Sequence, residues 1–185
     1  MYPGASLLWH ADGSQAQPPI RLTALSARRL PAVPPNTEYA DRRAAYDALS
    51  PARKAHIEKM TVEHSILYSR SKMGMKMSDW TEDAAKKRPP VVHPLVRTNP
   101  LTGRKSLYLA SHASHIIGLP VASGHALIED LTEHATQRRF VYSHPWEPND
   151  LVMRNDRWTM HRAMPYSSDD ARVLRWSRVL ALAQV

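Results

Sequence analysis

The stretch "RFVYSHPWEPNDLVMRNDRWTMHRAM", residues 139–164, holds three short runs that are separated by turn-forming residues. The runs "RFVYSHPW", "DLVMRND" and "TMHRAM" are bounded by Pro, Asn and Asp, a pattern typical of short strands. A further alternating run, "RVLRWSRVLALA", begins at Arg172. This end of the chain is therefore predicted to form a sheet of short strands.

Outward from this region, strands alternate with helices. Strands are predicted at Leu7–His10, in "PPIRLTALSARRLPAV" (18–33), in "VVHPLVRTNP" and in "RKSLYLAS", with a turn at Asn99–Gly103 between the last two. Helices are predicted after a cap at Asn36 or Thr37, from Ser50-Pro51 towards Leu67, and in "SGHALIEDLTEHAT" with Ser123 as cap. The chain is thus mainly β with inserted helices, which favours a jelly-roll or barrel-like sandwich.

Length and composition favour one globular domain over residues 1–185, with 43% hydrophobic and 23% charged residues. We expect no membrane partner, because no apolar run is long enough to span a bilayer. The absence of cysteine excludes disulfides, thiolate ligands and a cysteine nucleophile, and it fits a cytoplasmic location. Residues 69–90, rich in charge and methionine without periodicity, are predicted to be a mobile insertion.

The net charge of +8 is compatible with nucleic acid or with small anions as partners. The basic residues are scattered and aromatic residues make up only 7% of the chain, so the stacking surface of a nucleic-acid-binding sheet is not evident. We therefore expect no nucleic acid partner. The ten histidines point instead towards a transition metal.

A His-x-Asp motif lies in "LLWHADGS", residues 7–14. On a strand, His10 and Asp12 point to the same side, so an imidazole nitrogen and a carboxylate oxygen can reach one cation. With a second histidine they would form the two-histidine, one-carboxylate set of non-haem Fe(II) oxygenases. The motif alone is weak, because a pair at this spacing also arises by chance as an exposed pair at a strand end.

The third ligand is not fixed by spacing. His56 and His64 are assigned to the early helix, and other histidines near turns or strand starts stay open: His93, His112, His115 and His144. His161 stands in the strand "TMHRAM", and Arg172 opens the last strand, which we expect to pair beside it. An arginine there could hold a carboxylate through two parallel hydrogen bonds.

Five segments and one further residue together resemble the Fe(II)- and 2-oxoglutarate-dependent dioxygenases of the TauD/TfdA family, and most of all its 2,4-dichlorophenoxyacetate branch. They are "LLWHADGS", "NTEYADRRAAYDAL", "HPLVRTNP", "RKSLYLASHA", "LTEHATQRRFVYSHPWEPNDLVMRNDRWTMHRA" and Arg172, in the family order from Leu7 to about Arg178. The resemblance implies a double-stranded β-helix, a relative of the jelly-roll. It also implies that His10, Asp12 and His161 bind iron.

The same resemblance implies that Thr37 and Arg172 hold the 2-oxoglutarate co-substrate. The expected reaction consumes O2, releases succinate and CO2, and hydroxylates a small organic anion of the aryloxyalkanoate, sulfonate or alkyl sulfate type. Arg175 and Arg97 are the candidate substrate contacts, although strand alternation places Arg175 opposite Arg172. The alternative is a non-catalytic paralog that keeps the fold and some metal binding.

The chain departs from the family pattern in two further places. The family carries more outer strands before the His-x-Asp motif, so we expect residues 1–185 to be N-terminally truncated, equivalent to the C-terminal two thirds of the family domain. Unpaired strand edges would then favour a homo-oligomer. Arg154, Asn155 and Asp156 replace the family's Trp-Asp-Asn, and Arg154 is expected either to disturb packing below the metal or to point outward.

Overall fold

Strands dominate the part of the chain that the computed structural model describes, residues 4–166 and 171–180. They are β1 (Ile20–Arg29), β2 (Thr37–Asp41), β3 (Thr61–His64), β4 (Val91–Pro94), β5 (Val96–Thr98), β6 (Lys105–Leu107), β7 (Ala113–Ile116), β8 (Val141–His144), β9 (Leu151–Asn155), β10 (Thr159–Ala163) and β11 (Val173–Leu180). The inserted helices are α1 (Arg42–Asp47), α2 (Pro51–Ile57), α3 (Ile66–Ser71), α4 (Glu82–Lys86) and α5 (Val121–Ala135). This architecture confirms the prediction of a mainly β chain with inserted helices.

The strands pair antiparallel in three sheets and one hairpin. The first sheet has the order β11-β1-β9, the second β10-β2-β8 and the third β4-β3-β7, while β5 and β6 form the hairpin. The turn of the hairpin is the predicted one, because the Gly103 N–H donates to the Asn99 carbonyl over 2.8 Å. The expected pairing of the last strand beside β10 is wrong, since β11 pairs along the whole of β1.

The N-terminal segment does not form the predicted strand at Leu7–His10. A short 3-10 helix covers Ala5–Leu7, and His10 makes an isolated antiparallel bridge with His161 on the free edge of β10. The chain turns at residues 12–15, so the bridge does not continue into a longer ladder. The second sheet is therefore extended by a single residue at the point where the His-x-Asp motif begins.

The helix expected from Thr37 begins later than predicted. Thr37–Asp41 forms β2, which is paired on both sides by β8 and β10, so tertiary pairing outweighs the local helical pattern. Asp41 is the actual cap, because its carboxylate accepts the backbone N–H of Arg43 at 2.9 Å and of Ala44 at 3.3 Å. This change places Thr37 on a strand of the second sheet.

The helix predicted from Ser50-Pro51 starts there but is shorter than expected. The Ser50 hydroxyl caps α2 by accepting the Arg53 N–H at 3.3 Å, and the helix ends at Ile57. The continuation towards Leu67 is wrong, because Thr61–His64 forms the central strand of the third sheet. His64 is consequently a buried sheet residue and not a helical one.

The hydrophobic core lies between α1, α5 and the third sheet. It includes the fully buried Ile57, Ile116 and Leu131, and α5 begins at Val121, before the predicted cap Ser123. Gly124 allows α5 to approach β7 closely, since a Cβ there would lie 2.9 Å from the Ile116 nitrogen. The helices thus cover the third sheet and leave the first and second sheets to shape the site.

The segment predicted to be a mobile insertion contains short helical pieces. It includes the end of α3, a 3-10 turn at Met77–Asp79 and α4. Two ion pairs of i, i+4 spacing support α4, Lys86 with Glu82 at 2.7 Å and Lys87 with Asp83 at 2.6 Å. The mobility of residues 69–90 stays a prediction. Among the described residues, no helix has the length and apolar character that crossing a membrane requires.

Candidate metal centre

The backbones of His10 and His161 place their imidazoles side by side. The His10 N–H donates to the His161 carbonyl at 2.9 Å, and the His161 N–H donates back at 2.8 Å. As directly opposed residues of an antiparallel pair, they project to the same face. Their ring centroids are 4.0 Å apart. Two nitrogen ligands are thus held together by main-chain hydrogen bonds.

Asp12 completes a three-residue cluster. Its Oδ1 lies 3.6 Å from the His10 Nε2 and 3.8 Å from the His161 Nε2. One ligand atom from each of the three residues falls within 4.8 Å of the other two, which fits ligands that share a single ion. The structure therefore brings together the three residues that the sequence proposed. The donor set, two imidazoles and one carboxylate, suits a non-haem Fe(II) site with open positions.

The neighbours of the two imidazoles favour their neutral, metal-binding form. The Nδ1–H of His10 donates to the Leu8 carbonyl at 2.7 Å, which leaves the lone pair on Nε2, the nitrogen that lies 3.6 Å from the Asp12 Oδ1. Burial lowers the pKa of His10, against the opposing effect of Asp12, and burial lowers the pKa of His161 well below its usual range. Both rings are therefore unprotonated near neutral pH.

The second oxygen of Asp12 is occupied by hydrogen-bond donors. The Arg154 Nη2 contacts Oδ2, and the Trp176 indole N–H donates to the same oxygen at 3.2 Å. The following residue, Gly13, has a φ of +69°, and a Cβ there would lie 2.6 Å from the Ile20 Cγ1. The turn after Asp12 therefore requires glycine.

Arg154 and Asp156 form an ion pair that the sequence did not predict. Arg154 is buried, so the expected outward side chain is wrong, while disturbed packing below the metal stays a prediction. Its Nε donates to the Asp156 Oδ1 at 3.3 Å, and Asp156 also accepts the Asp12 N–H at 3.1 Å and the Thr23 hydroxyl at 2.5 Å. Burial raises the pKa of Asp156, while Arg154 opposes that rise. The sequence did carry a signal for this ion pair, because Arg154 and Asp156 have opposite charges and residues at i and i+2 of a strand lie on the same face.

Thr37 and Arg172 meet at the other end of the site. The Thr37 hydroxyl oxygen accepts the Trp146 indole N–H at 2.9 Å and an Arg172 N–H at 3.3 Å. Burial lowers the pKa of Arg172, and within the described ranges its buried Nε has no hydrogen-bond partner. A buried donor without a partner is costly unless a ligand or water satisfies it. The arrangement fits a carboxylate held by Arg172 and Thr37.

The two candidate substrate arginines do not meet the cluster. Arg175 is exposed on β11, and alternation points it to the face opposite Trp176, the residue that contacts Asp12. Arg97 lies over the Tyr108 ring, 3.4 Å from its centroid, and donates to the His93 Nδ1 at 2.9 Å. The contacts of Arg97 thus belong to packing around the third sheet.

Two of the histidines left open as third ligand instead support the loop after the motif. The His93 Nε2 donates to the Ser14 carbonyl at 2.9 Å, and the His112 Nδ1 lies 3.1 Å from the Ser14 hydroxyl. Burial lowers the pKa of His93 to about 4 and that of His112 to about 3. These residues position the chain that follows Asp12 and contribute no atom to the cluster of described ligands.

Comparison with known proteins agrees with this geometry. Residues 1–178 match the family "Taurine catabolism dioxygenase TauD, TfdA family". The alpha-ketoglutarate-dependent 2,4-dichlorophenoxyacetate dioxygenase of Cupriavidus pinatubonensis is 45% identical over 176 residues, which cover 95% of this chain. The (S)-phenoxypropionate/alpha-ketoglutarate-dioxygenase of Sphingobium herbicidovorans is 35% identical over 175 residues, or 92% of this chain and 61% of the relative.

A solved structure shares the fold. The crystal structure of AAD-2 in complex with Mn(II) and N-oxalylglycine is 44% identical, with a TM-score of 0.92 over 97% of this chain and 70% of that one. This likeness confirms the predicted jelly-roll class. The chain spans 61% of the length of the Cupriavidus relative that it matches.

Proposed function

Because the chain belongs to the TauD, TfdA family of taurine catabolism dioxygenases, we propose that it is an Fe(II)- and 2-oxoglutarate-dependent dioxygenase. In the proposed reaction, 2-oxoglutarate, O2 and a C–H substrate give succinate, CO2 and the hydroxylated product. The observation that carries the proposal is the convergence of His10, Asp12 and His161 on one point. Each residue type in this cluster is a ligand suited to ferrous iron.

The chain's own residues would hold the ion without first losing protons. The lowered pKa values of His10 and His161 leave both rings neutral, so metal binding at neutral pH need not displace protons from them. Asp12 supplies one negative charge through Oδ1. When bound, ferrous iron supplies the dioxygen activation that oxidative decarboxylation and C–H hydroxylation need.

Arg172 and Thr37 are proposed to bind the far carboxylate of 2-oxoglutarate. A guanidinium can offer two parallel N–H donors to a carboxylate, and its buried Nε has no partner among the described residues. The Thr37 hydroxyl accepts two hydrogen bonds and keeps its own hydrogen to donate. The co-substrate would then be oriented from this end towards the metal.

A small organic anion is the proposed substrate, and an aryloxyalkanoate is the first choice. The relatives in the comparison are named for 2,4-dichlorophenoxyacetate and phenoxypropionate, and a more distant one, 26% identical, is an alkylsulfatase of Acinetobacter baylyi. The net charge of +8 favours the approach of anions in general. Sulfonates and alkyl sulfates are therefore included in the test.

The test is O2 uptake with Fe(II) and 2-oxoglutarate across a panel of aryloxyacetates, aryloxypropionates, sulfonates and alkyl sulfates. We expect at least one substrate to stimulate O2 uptake and to produce succinate in equal amount. Binding of Fe(II) and 2-oxoglutarate without stimulated turnover by any member would contradict the catalytic proposal. That result would favour the alternative, a non-catalytic paralog that keeps the metal site.

We also propose that the protein is cytoplasmic and that it self-associates. Large apolar side chains on the outer face of the first sheet support self-association, since Leu151 is 63% exposed and Met153 73% exposed. Sedimentation velocity over a range of concentrations tests this proposal. A single monomeric species at all concentrations would contradict it.

A further inference from the structure

We propose that Arg154 is a positioning residue that fixes Asp12 as a one-oxygen ligand of the metal. The inference deepens the proposed function, since it rests on metal binding by His10, Asp12 and His161. Arg154 is placed to act on the metal only through Asp12.

The Arg154 side chain is held between two carboxylates. It leaves β9 towards the second sheet and is 3% exposed. Its Nη2 contacts the Asp12 Oδ2, and its Nε donates to the Asp156 Oδ1 at 3.3 Å. Because the two contacts use different nitrogens of one rigid plane, the position of Asp156 sets the position of the group that holds Asp12.

Asp156 makes this arrangement stable inside the protein. A buried guanidinium is costly unless opposite charge and hydrogen bonds compensate it. Asp156 supplies a second carboxylate, and it is itself fixed by the Thr23 hydroxyl at 2.5 Å and by the Asp12 N–H at 3.1 Å. The network therefore fixes both the backbone and the side chain of Asp12.

The two oxygens of Asp12 consequently have different roles. Oδ2 receives hydrogen bonds from Arg154 and from the Trp176 indole, whereas Oδ1 faces the Nε2 atoms of both histidines. A carboxylate whose second oxygen is engaged in this way binds a metal through one oxygen only. With two imidazoles, a one-oxygen carboxylate leaves three positions of an octahedral ion open, and a two-oxygen carboxylate would leave only two.

Trp176 alone would not replace this restraint. The residue is 45% exposed and it provides a single neutral donor. A charged donor to a carboxylate is roughly twice as strong as a neutral one. Loss of Arg154 should thus let the Asp12 side chain rotate, and outer partners of metal ligands typically contribute about 10- to 100-fold to metal affinity.

The experiment is a Co(II) titration of the full chain, followed by the visible absorption of the bound ion. We expect Arg154→Met to raise the Kd for Co(II) by about tenfold or more. The matched control is Arg157→Met, which removes a nearby arginine that contacts Asn155 and Trp158, and it should leave the Kd unchanged. The band intensity of Co(II) should also change in Arg154→Met, because it depends on coordination number.

A double variant separates positioning from folding. Arg154→Met leaves Asp156 buried without its cation, so Arg154→Met with Asp156→Asn should regain thermal stability. It should keep the weakened Co(II) affinity, because the charged hydrogen bond from Arg154 to the Asp12 Oδ2 is lost and the neutral one from the Trp176 indole remains. Arg154→Lys keeps the positive charge but loses the planar set of N–H donors, so its Kd for Co(II) should lie between those of the native protein and Arg154→Met.

A Co(II) Kd in the folded double variant equal to or below that of the native chain would overturn the role of Arg154. That outcome would leave the proposed metal site in place, because the native chain still binds Co(II). Failure of the native chain and of Arg157→Met to bind Co(II) would overturn the metal site and, with it, the role of Arg154.

Discussion

His10 and His161 lie at opposite ends of the described chain, yet they exchange both backbone hydrogen bonds, at 2.9 and 2.8 Å. The relation between the two imidazoles is thus set by main-chain geometry and does not depend on the packing of long side chains. Asp12 follows two residues after His10, and Gly13 then turns the chain back. The fold itself therefore sets the relative positions of the three ligands.

Removal of one imidazole should abolish the proposed activity. His161→Ala leaves one nitrogen and one carboxylate ligand, so we expect loss of substrate-dependent succinate release and much weaker Co(II) binding. The matched control is His56→Ala, at an exposed position of α2. Native succinate release by His161→Ala would remove His161 from the metal site.

The shape of Arg172 should matter more than its charge. Arg172→Lys keeps a cation but loses the two parallel N–H donors of the guanidinium. We therefore expect the Kd for 2-oxoglutarate to rise by about tenfold or more, with Co(II) affinity retained. Isothermal titration of the Co(II)-loaded protein with 2-oxoglutarate measures the first value, and titration of the metal-free protein with Co(II) measures the second. Arg29→Lys, at an exposed end of β1, is the control. Equal 2-oxoglutarate affinity in Arg172→Lys and native protein would contradict the assignment.

Gly13 should be far less tolerant of a side chain than Gly103. Both have a φ of +69°, but the added Cβ meets the Ile20 Cγ1 at 2.6 Å only at Gly13, and at Gly103 nothing lies within 4 Å. We expect Gly103→Ala to cost about 1 kcal/mol and Gly13→Ala clearly more than about 2 kcal/mol in free energy of unfolding. Urea denaturation measures both, and equal losses would show that the contact with Ile20 is unimportant.

The metal-free protein should lose stability on mild acidification because His112 is buried and neutral. Its pKa is about 3 in the folded chain against 6.5 in the unfolded one, so below pH 6.5 the unfolded state binds the additional proton. Between pH 7.5 and 5.0 this one residue should remove about 2 kcal/mol from the free energy of unfolding.

The decrease should be smaller in His112→Asn than in the native protein by about 2 kcal/mol, and unchanged in His56→Asn, whose side chain is exposed. Urea denaturation at the two pH values, with a chelator present, measures it. A decrease of the same size in His112→Asn and native protein would show that other groups cause the acid sensitivity.

The strands near the C-terminus were predictable because their sequence is locally consistent. "DLVMRND" and "TMHRAM" carry strand-forming residues between turn-formers, and they became β9 and β10. The helix predicted from Thr37 was wrong over its first five residues. These residues form a strand because they pair with two neighbouring strands, and the helix begins only at Arg42. Pairing partners distant in the chain leave no trace in a local pattern.

The sequence predicted the metal ligands of the site, but it did not predict the residues that hold those ligands in place. His10, Asp12 and His161 follow from the motif and the resemblance, whereas Arg154 and Asp156 depend on how the first sheet faces the second. Arg42 shows the same limit. In the sequence it belongs to a short basic cluster, yet it is fully buried and donates to the carbonyls of Leu109 and Asp156 at 2.7 and 2.6 Å.

The one-residue bridge at His10 also has a kinetic consequence. Near the motif, the segment before β1 is tied to the rest of the fold by the His10–His161 pair, by the Ser111 N–H on the Trp9 carbonyl at 2.8 Å, by the Asp12 network and by the contacts of Ser14 with His93 and His112. Local opening of these contacts would remove His10 and Asp12 from the ion together, while His161 stays on β10. An ion held by all three ligands opposes this local opening, so hydrogen exchange at the His10 amide should slow when the ion is bound.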